Sequence, residues 1–542
     1  MLKYGLTLLM YTCSLFAWGQ ATQFWHWKDL AKDGVHGVSL TEAHQKLTAL
    51  KLTPTPIVIA VLDGGIDTSH PQIKPFLWKN AKEIPGNQLD DDKNGYVDDY
   101  YGWNFLGNAH GVNINKAAAE KSRVYHRYKK EFNQAALDSS QWNQEKKKTY
   151  LTWKQAAAEM LFSEEDAANL SFIKMAKNAV LKMGAVLIKE IEDTNFTAEQ
   201  LEPFQPMGKI AADTKISYLR TLQALGIDKS MGYSTILNDL NDYIAGKEQS
   251  SLALENEPED LRKTIIQDRY DNFKDQFYGN MDIMGPNARH GTHVAGLAIG
   301  ITDTASTSFK TPIRIMGLRV VPDGDEYDKD IALGIRYAVN NGAKVINMSF
   351  GKSFSPEQAW VDSAIRYALS KDVLIIHSAG NESYDLNIKT VYPSPYSTIF
   401  KDKAANMLTV GASSDPLIGE SLLTDFSNYG NQVVDLLSPG YKIYSSLPSP
   451  RFGFQNGTSM AAPIVSHIAG LVRAYFPKLT AVEVKNILLQ SCWKPNDPNS
   501  QFAIPQKEKT STLSNIAAEG GIINAALSIQ NAATYYATKY KK

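Results

Sequence analysis

The chain has 542 residues, of which 43% are hydrophobic and 21% are charged, as in ordinary globular proteins. Its formal net charge of -1 argues against nucleic acid or a membrane surface as the main partner, because both attract proteins with a basic excess. This length accommodates one large domain together with a substantial elaboration.

Residues 1–19 have the pattern of a secretory signal peptide. Lys3 supplies a positive n-region, residues 5–16 a mostly apolar segment, and residues 17–19 a small-residue cleavage site. The apolar segment is too short to span a bilayer, and no later segment is long enough; a buried N-terminal helix is the alternative. We therefore predict export to the periplasm or the exterior. Signal removal would leave Cys492 as the only cysteine, so no internal disulfide is expected.

Six apolar runs rich in β-branched residues predict buried strands. They lie at residues 57–62, 312–321, 343–350, 373–379, 407–412 and 433–437. Continuous apolarity without alternation is typical of strands that are buried on both faces of a parallel sheet. Helical patterns at 328–342 and 355–371 separate several of these runs. Alternating strands and helices predict an α/β fold with a doubly wound, mostly parallel sheet.

The chain is predicted to have two further parts besides the α/β domain that contains this sheet. Residues 20–52 form a lead-in with one amphipathic helix, and residues 53–107 and 282–542 form the α/β domain. Residues 108–281 are rich in Lys, Glu, Gln and Ala and poor in β-branched runs, which predicts a large, mostly helical insertion. Within it, the capping-box pattern Thr197–Gln200 predicts a helix start.

Two polar residues stand at positions where an α/β fold places chemistry. Asp63 ends the first predicted strand, at the carboxyl edge where such sheets carry active sites. The alternative is an aspartate that caps the turn at Gly64. His290 begins the Ala- and Gly-rich segment HGTHVAG, whose helix could point the ring into a cleft. A structural histidine is the alternative there.

Ser459 lies in the stretch NGTSMAAP, between a glycine turn and the start of an apolar helix. Unpaired N–H groups and the helix dipole favour negative charge at such a helix start. This position suits a nucleophile whose attack creates an oxyanion, and it equally suits a plain helix N-cap. The stretch by itself leaves both interpretations open.

The order Asp, His, Ser within DGGID, HGTHVAG and GTSMAAP resembles the subtilisin-like serine proteases, or subtilases. The resemblance covers roughly residues 55–106 and 282–495. It implies that Ser459 is the nucleophile, that His290 is its general base, and that Asp63 orients and stabilises the imidazole. It also implies a serine endopeptidase that cleaves protein or peptide substrates through an acyl-enzyme and needs no cofactor for its chemistry.

The segment HSAGNE matches the oxyanion segment of the same family. The resemblance implies that the Asn381 amide and the Ser459 backbone N–H donate hydrogen bonds to the developing oxyanion. The acid-active sedolisins carry aspartate at this position, so Asn381 predicts activity near neutral pH.

The resemblance extends to the substrate cleft. Residues 347–351 (NMSFG) resemble the strand that pairs with an extended peptide and forms one wall of the primary pocket. The pocket walls are assigned to Ser349, Phe350, Gly351, Ser378, Ala379 and Gly380. Val391 stands where the family often has glycine before a Tyr-Pro pair, which implies a shallower pocket that disfavours bulky aromatic side chains.

A metal site is predicted in the acidic loop that follows the first strand. Asp90, Asp92, Asn94 and Asp98 bear oxygen at positions 1, 3, 5 and 9 of an EF-hand-like calcium loop, with glycine at position 6. Tyr101 replaces the bidentate glutamate at position 12. The spacing predicts a structural calcium ion, and the alternative is a solvated acidic loop.

The insertion separates Asp63 from His290, so we expect it to emerge near the active-site edge. A lid, a substrate gate, a dimerisation surface and a passive elaboration are the alternatives, and the sequence leaves the oligomeric state open. The rival function is a catalytically silent binding or scaffold protein on the same fold. Competent residues at all four chemical positions favour the protease.

Overall fold

The computed structural model describes residues 23–133, 139–161, 163–227, 229, 231–302, 310–397, 402–419, 421–504 and 510–540. The predicted signal peptide, residues 1–19, lies outside the described residues. The chain divides into two compact units, unit 1 (Met1–Glu120 and Asp260–Lys542) and unit 2 (Lys121–Glu259). The boundaries predicted from composition, 108 and 281, fall outside unit 2 because the flanking segments bury apolar side chains such as Ile114 and Tyr278 in unit 1.

The strands, numbered along the chain, are β1 (Ile57–Asp63), β2 (Gly102–Asn104), β3 (Ile313–Arg319), β4 (Val345–Met348), β5 (Leu374–Ser378), β6 (Met407–Ser413), β7 (Leu436–Pro439), β8 (Ile443–Leu447), β9 (Arg451–Gln455), β10 (Cys492–Trp493), β11 (Phe502–Ala503), β12 (Thr510–Ser511) and β13 (Ile522–Ile523). The helices are α1 (Leu30–Asp33), α2 (Leu40–Leu50), α3 (Glu120–Phe132), α4 (Gln144–Glu159), α5 (Glu164–Ile191), α6 (Ala198–Leu201), α7 (Lys209–Ala224), α8 (Tyr233–Leu252), α9 (Arg289–Ile299), α10 (Asp328–Asn340), α11 (Gln358–Ser370), α12 (Pro416–Gly419), α13 (Thr458–Tyr475), α14 (Ala481–Leu489), α15 (Leu513–Ile516) and α16 (Ala525–Tyr540).

In the part of unit 1 that the structure describes, nine strands form one sheet in the order β10-β13-β7-β6-β5-β4-β1-β3-β2. Its strand pairs are parallel except for β10 and β13. Each of the six apolar runs overlaps one of the strands β1 and β3–β7, and helices lie between several of them. The predicted α/β fold with a doubly wound, mostly parallel sheet is therefore confirmed.

Helices cover both faces of this sheet. Along β1, Ile59 and Val61 pack in one buried cluster with apolar residues of α9 and α13. Ala60 and Leu62, which point to the opposite face, pack in a second cluster with residues of α10 and α11. Since β1 is buried on both faces, every one of its apolar residues is used, which explains the unbroken run IVIAVL.

Unit 2 is helical in the described part of the chain. Helix α5 packs against α7 and α8, and its core includes Val180, Leu187 and Tyr218. The predicted capping box is present at the start of α6, where Thr197 and Gln200 bond reciprocally to each other's backbone N–H groups. Across the described residues of both units, no helix is long and apolar enough to cross a membrane.

Candidate active site

Asp63 is the last residue of β1, and its carboxylate is buried beside the start of α9. The backbone N–H of Gly64 donates to its Oδ1 at 2.7 Å. Gly291 makes the close approach of α9 possible, because a Cβ there would lie 2.9 Å from Asp63 Oδ1 and 2.2 Å from the carbonyl oxygen of Gly65. The glycine that follows the histidine in HGTHVAG thus allows the helix start to sit against Asp63.

His290 lies in the first turn of α9, and its Nδ1 is 2.9 Å from both carboxylate oxygens of Asp63. An ionised carboxylate only accepts hydrogen bonds, so Nδ1 carries the proton and Nε2 is left as the basic nitrogen. Partial burial lowers the pKa of His290, but the charge and the hydrogen bond of Asp63 outweigh it, and the net pKa is raised above the ordinary value. The side chain is 40% exposed, so the ring opens toward the surface.

His293, one turn further along α9, is fully buried. Its Nε2 lies 3.0 Å from the Ile443 carbonyl and 3.1 Å from the Gly453 carbonyl, so this nitrogen donates. Burial lowers the pKa of His293 to about 3. This neutral ring ties α9 to the β8–β9 hairpin and has a structural role.

Ser459 is the second residue of α13 and does not cap that helix. The N-cap position is Gly457, whose φ of 144° favours glycine and which offers no side-chain cap. Ser459 Oγ instead donates to the backbone carbonyl of Ser349 at 3.0 Å, and Ser349 Oγ donates to the carbonyl of Ser459 at 2.9 Å. The second bond replaces a helical one, because Pro463, four residues later, has no N–H to give to Ser459.

The hydroxyl of Ser459 therefore faces the Ser349 carbonyl in this structure, and no hydrogen bond joins it to His290 among the described residues. Catalytic hydrogen bonds in substrate-free enzymes are commonly long or poorly aligned. For His290 Nε2 to take the hydroxyl proton, that proton has to leave the Ser349 carbonyl first.

Asn381 follows β5, and its amide orientation is set by Thr458. The backbone N–H and the hydroxyl of Thr458 both donate to Asn381 Oδ1 at 2.9 Å. Since a backbone N–H can only donate, the amide oxygen must face Thr458, and the NH2 group is left to donate elsewhere. A Cβ on Gly457 would lie 3.4 Å from Asn381 Nδ2 and 3.6 Å from Ser459 N, so two N–H donors flank the same glycine.

The segment that follows β4 is held from three sides. Asn347 Nδ2 donates to Ser349 Oγ at 2.9 Å, and the buried Ser466 hydroxyl donates to Asn347 Oδ1 at 2.8 Å. His377 Nε2 donates to the Phe350 carbonyl at 2.9 Å. Burial lowers the pKa of His377 to about 4, so this ring stays neutral near pH 7.

The predicted pocket residues lie together at the ends of β4 and β5. Ser349, Ser378 and Ala379 are buried, whereas Phe350, Gly351 and Gly380 are partly or fully accessible. The backbones of Lys352 and Tyr392 exchange two hydrogen bonds, at 3.0 and 2.8 Å, which brings Val391 beside Gly351. A Cβ on Gly351 would lie only 3.0 Å from Val391 Cγ1.

Buried charges hold the residue after Gly351, an arrangement that no sequence motif indicated. Lys352 Nζ is fully buried and lies 2.8 Å from Glu120 and 2.9 Å from Asp328, with the Glu326 carbonyl at 2.6 Å. A buried ammonium needs this many partners to offset its lost hydration. The network fixes the end of the predicted substrate-binding segment.

The acidic loop brings together only some of the predicted metal ligands. One carboxylate oxygen each from Asp90, Asp92 and Glu83 lies within 4.8 Å of the others. Asp98 turns away, since its two oxygens accept from the backbone N–H groups of Gly86 and Gln88. The Asn94 side chain likewise bonds within the protein, with its oxygen on the N–H of Tyr96 and its NH2 on Asp99.

With this geometry established, comparison with known proteins is decisive for the family. A sequence model of the subtilase family matches residues 55–517. The chain belongs to the subtilase family. This subtilase is 28% identical over 338 residues to the cell wall-associated protease of Bacillus subtilis (strain 168), a match that covers 60% of this chain and 34% of the relative.

Two further relatives are more similar over shorter segments. The thermophilic serine proteinase of Bacillus sp. (strain AK1) is 35% identical, with 42% of this chain and 52% of the relative covered. Thermitase of Thermoactinomyces vulgaris is 36% identical, with 34% and 60% covered. The subtilase thus spans between about a third and three fifths of the length of these relatives. A solved chain from the subtilase cytotoxin SubAB gives a TM-score of 0.38 at 24% identity, with 47% of this chain and 79% of that chain covered.

Proposed function

We propose that this subtilase is an exported serine endopeptidase that works through Asp63, His290 and Ser459. The observation that carries the proposal is the pairing of His290 Nδ1 with both oxygens of the Asp63 carboxylate at 2.9 Å. This pairing leaves Nε2 as a base with a raised pKa, which is what a general base that later becomes a general acid requires.

The reaction then proceeds by acyl transfer. Ser459 Oγ attacks the carbonyl carbon of the scissile peptide, and its proton passes to His290 Nε2 while Asp63 stabilises the imidazolium. The oxygen of the tetrahedral intermediate accepts hydrogen bonds from Asn381 Nδ2 and from the backbone N–H of Ser459. The C–N bond breaks, and the leaving amine takes the proton from His290. Water then attacks the carbonyl carbon of the acyl-enzyme and gives its proton to His290 Nε2. The ester bond to Ser459 breaks, the carboxylic acid product leaves, and His290 returns the proton to Ser459 Oγ.

An extended peptide would bind along residues 349–351. Its backbone would pair with this segment, so that recognition depends mainly on peptide shape. Val391 Cγ1 lies against the backbone of Gly351 and would narrow the primary pocket, so small side chains before the scissile bond are preferred. Two observations support protein and peptide substrates: membership of the subtilase family and the accessible residues Phe350 and Gly351 in the segment that would pair with a peptide.

Export is the second part of the proposal. It rests on the signal-peptide pattern of residues 1–19 and on the similarity to a protease that is named as cell wall-associated. Expression of the full chain followed by N-terminal sequencing of the exported product tests it. An exported protein that begins near residue 20 supports the proposal. A chain that stays in the cell and still carries residues 1–19 contradicts it.

A fluorophosphonate probe tests the catalytic assignment, because it reacts only with an activated serine. We expect labelling of the native chain at Ser459, no labelling of Ser459→Ala, and retained labelling of Ser349→Ala, which removes the neighbouring hydroxyl. A folded native chain without labelling would contradict the protease and favour the silent binding protein. Thermal unfolding of each variant shows whether the unlabelled protein is folded.

A further inference from the structure

Arg319, the last residue of β3, is buried at the edge of the sheet that carries Asp63. Its side chain is 2% exposed, and it stands opposite Asp63 in the parallel register of β1 and β3. Its Nη2 donates to Asn115 Oδ1 at 2.8 Å, whereas its Nη1 is buried without a hydrogen-bond partner among the described residues. Burial of a guanidinium costs free energy unless its contacts offset the lost hydration. The contacts that Arg319 makes therefore indicate what it is there to hold.

The guanidinium holds the turn that follows Asp63. Arg319 Nε donates to the carbonyl oxygen of Gly64 at 3.1 Å. The N–H of the same glycine donates to Asp63 Oδ1 at 2.7 Å. One residue of backbone thus connects the guanidinium to the carboxylate, so the orientation of the carboxylate depends on where Arg319 holds Gly64.

The same guanidinium contacts the loop that leads into α9. Its Nη1 lies 3.6 Å from Asp282 Oδ2, and Asp282 Oδ1 accepts from the N–H of Gly285 at 3.0 Å. A Cβ on Gly285 would lie 2.5 Å from Arg319 Cζ and 2.6 Å from Arg319 Nε, so the backbone of this glycine lies against the guanidinium. Because α9 begins at Arg289, shortly after this contact, Arg319 also limits where His290 can lie.

The turn and the loop also pack directly on each other. The N–H of Ile66 donates to the carbonyl oxygen of Ile283 at 2.9 Å. A Cβ on Gly65 would lie 2.0 Å from the carbonyl oxygen of Met284. With so little space between the two backbones, a shift of one displaces the other. Arg319 bonds to the turn and lies against the loop, so it restrains both.

We propose that Arg319 is a positioning residue that sets the distance and the orientation between Asp63 and His290. It acts on the carboxylate through Gly64 and on the imidazole through the loop at Gly285, and not by contact with the substrate. The proposal rests on the proposed protease function, because it assigns Arg319 to the support of that same triad.

Kinetics of Arg319→Met with a peptide substrate test this assignment. We expect kcat to fall by roughly 10- to 100-fold, because a misplacement of about 1 Å in a catalytic group can cost about 100-fold. KM should stay close to that of the parent, since none of the described bonds of Arg319 reaches residues 349–351. Arg319→Lys keeps one cationic donor and should recover part of kcat. The rate of fluorophosphonate labelling at Ser459 should fall in parallel with kcat, because labelling also needs the activated serine.

Arg473→Met is the matched control. Arg473 is 3% exposed, its Nη2 lies 2.6 Å from Asp372 Oδ2, and its Nη1 is likewise buried without a hydrogen-bond partner in the described part of the chain. Asp372 precedes β5, so this pair lies at the amino edge of the sheet, opposite the edge that carries Asp63. The control variant should lose stability, measured by thermal unfolding, and keep the kcat of the parent.

Equal losses of kcat in Arg319→Met and Arg473→Met, or a loss in Arg319→Met that lies mainly in KM, would overturn the proposal. If Arg319→Met does not fold, Arg319→Lys and Arg473→Lys are compared instead, with the same direction and a smaller loss. A folded parent that neither cleaves peptide nor reacts with the probe contradicts the proposed function, and the role of Arg319 with it. An active parent with equal losses in the two variants overturns the role of Arg319 alone.

Discussion

Ser349 and Ser459 hold each other through two hydrogen bonds, each hydroxyl donating to the backbone carbonyl of the other residue. One bond positions the proposed nucleophile, and the other satisfies a carbonyl that Pro463 leaves without its helical donor. The two bonds therefore hold the proposed peptide-binding segment and the start of α13 in a fixed position relative to each other. A substrate that pairs with this segment is positioned relative to Ser459 as well.

This relationship predicts a specific coupling between Ser349 and Pro463. Ser349→Ala should lower the free energy of unfolding by about 1–3 kcal/mol, because the Ser459 carbonyl loses its donor. In a Pro463→Ala background, residue 463 has an N–H that can bond to Ser459 in the normal helical way, so the cost should shrink. The coupling energy is measured by urea unfolding of four proteins that all carry Ser459→Ala: the parent, Ser349→Ala, Pro463→Ala and the double variant. If Ser349→Ala lowers the free energy of unfolding equally in the presence and in the absence of Pro463→Ala, the Ser349 hydroxyl does not replace the missing helical donor.

Asp63→Asn should shift the pH dependence of catalysis. In the native chain Asp63 raises the pKa of His290, so the base becomes neutral only as the pH rises through that value. Without the negative charge, burial dominates and the pKa of His290 falls, so the ascending limb of kcat/KM moves to lower pH. The plateau should fall by about 10⁴-fold because the imidazole is no longer held in the right tautomer.

A pH profile of kcat/KM with a peptide substrate measures both effects. His293 does not contribute a second limb near neutrality, since burial holds its pKa at about 3. If the ascending limb of Asp63→Asn lies at the same pH as that of the native chain, or at a higher pH, the Asp63 carboxylate does not control the pKa of His290.

Thr458 should act as a positioning residue for Asn381. Asn381→Ala should lower kcat by about 100- to 1000-fold with little change in KM, as is typical for loss of one oxyanion donor. Thr458→Val removes one of the two donors that orient the amide and should cause a smaller loss, also in kcat. Thr458→Ser keeps the hydroxyl and should recover most of the activity.

The two changes at this site should not add. In an Asn381→Ala background there is no amide to orient, so Thr458→Val should cost little more. Additive losses, or an effect of Thr458→Val mainly on KM, would indicate that Thr458 acts on substrate binding.

Val391→Gly should broaden the primary pocket. It removes the Cγ1 that lies 3.0 Å from where a Gly351 Cβ would stand. The ratio of kcat/KM for phenylalanine over alanine before the scissile bond should rise by about 10-fold or more, the scale on which apolar pockets discriminate methylene-sized groups. A matched pair of peptides measures the ratio, and Val391→Ala should fall between the two. An unchanged ratio would place the pocket floor elsewhere.

The sequence predicted those features that short segments determine. The strand runs, the capping box at Thr197 and the positions of Asp63 and His290 depend on local patterns and on a family motif order. In the structure His290 Nδ1 lies 2.9 Å from both carboxylate oxygens of Asp63. Thr458 was not predicted, because its partner Asn381 is 77 positions away and a threonine beside a reactive serine has no distinctive spacing.

Glu83 was missed for a related reason. It lies seven residues before Asp90, outside the EF-hand-like spacing, and only the folded loop brings its carboxylate to Asp90 and Asp92. The EF-hand-like spacing also does not take account of hydrogen bonds from the backbone. The N–H groups of Gly86 and Gln88 donate to the two carboxylate oxygens of Asp98. Composition placed the insertion at 108–281, whereas the compact helical unit spans Lys121–Glu259, because composition does not report which polar segments also bury residues such as Ile114 and Tyr278.

The position of β1 has a consequence for biosynthesis. Its two neighbours, β3 and β4, both follow it along the chain, and about 250 residues separate Asp63 from Ile313. At a synthesis rate of about 5–20 residues per second, the nascent strand waits roughly 10 to 50 s for its first partner. During that interval IVIAVL presents two open edges and no charge, which is a template for pairing with other chains. A ribosome-bound or truncated chain that ends before Ile313 therefore needs a chaperone to remain unaggregated.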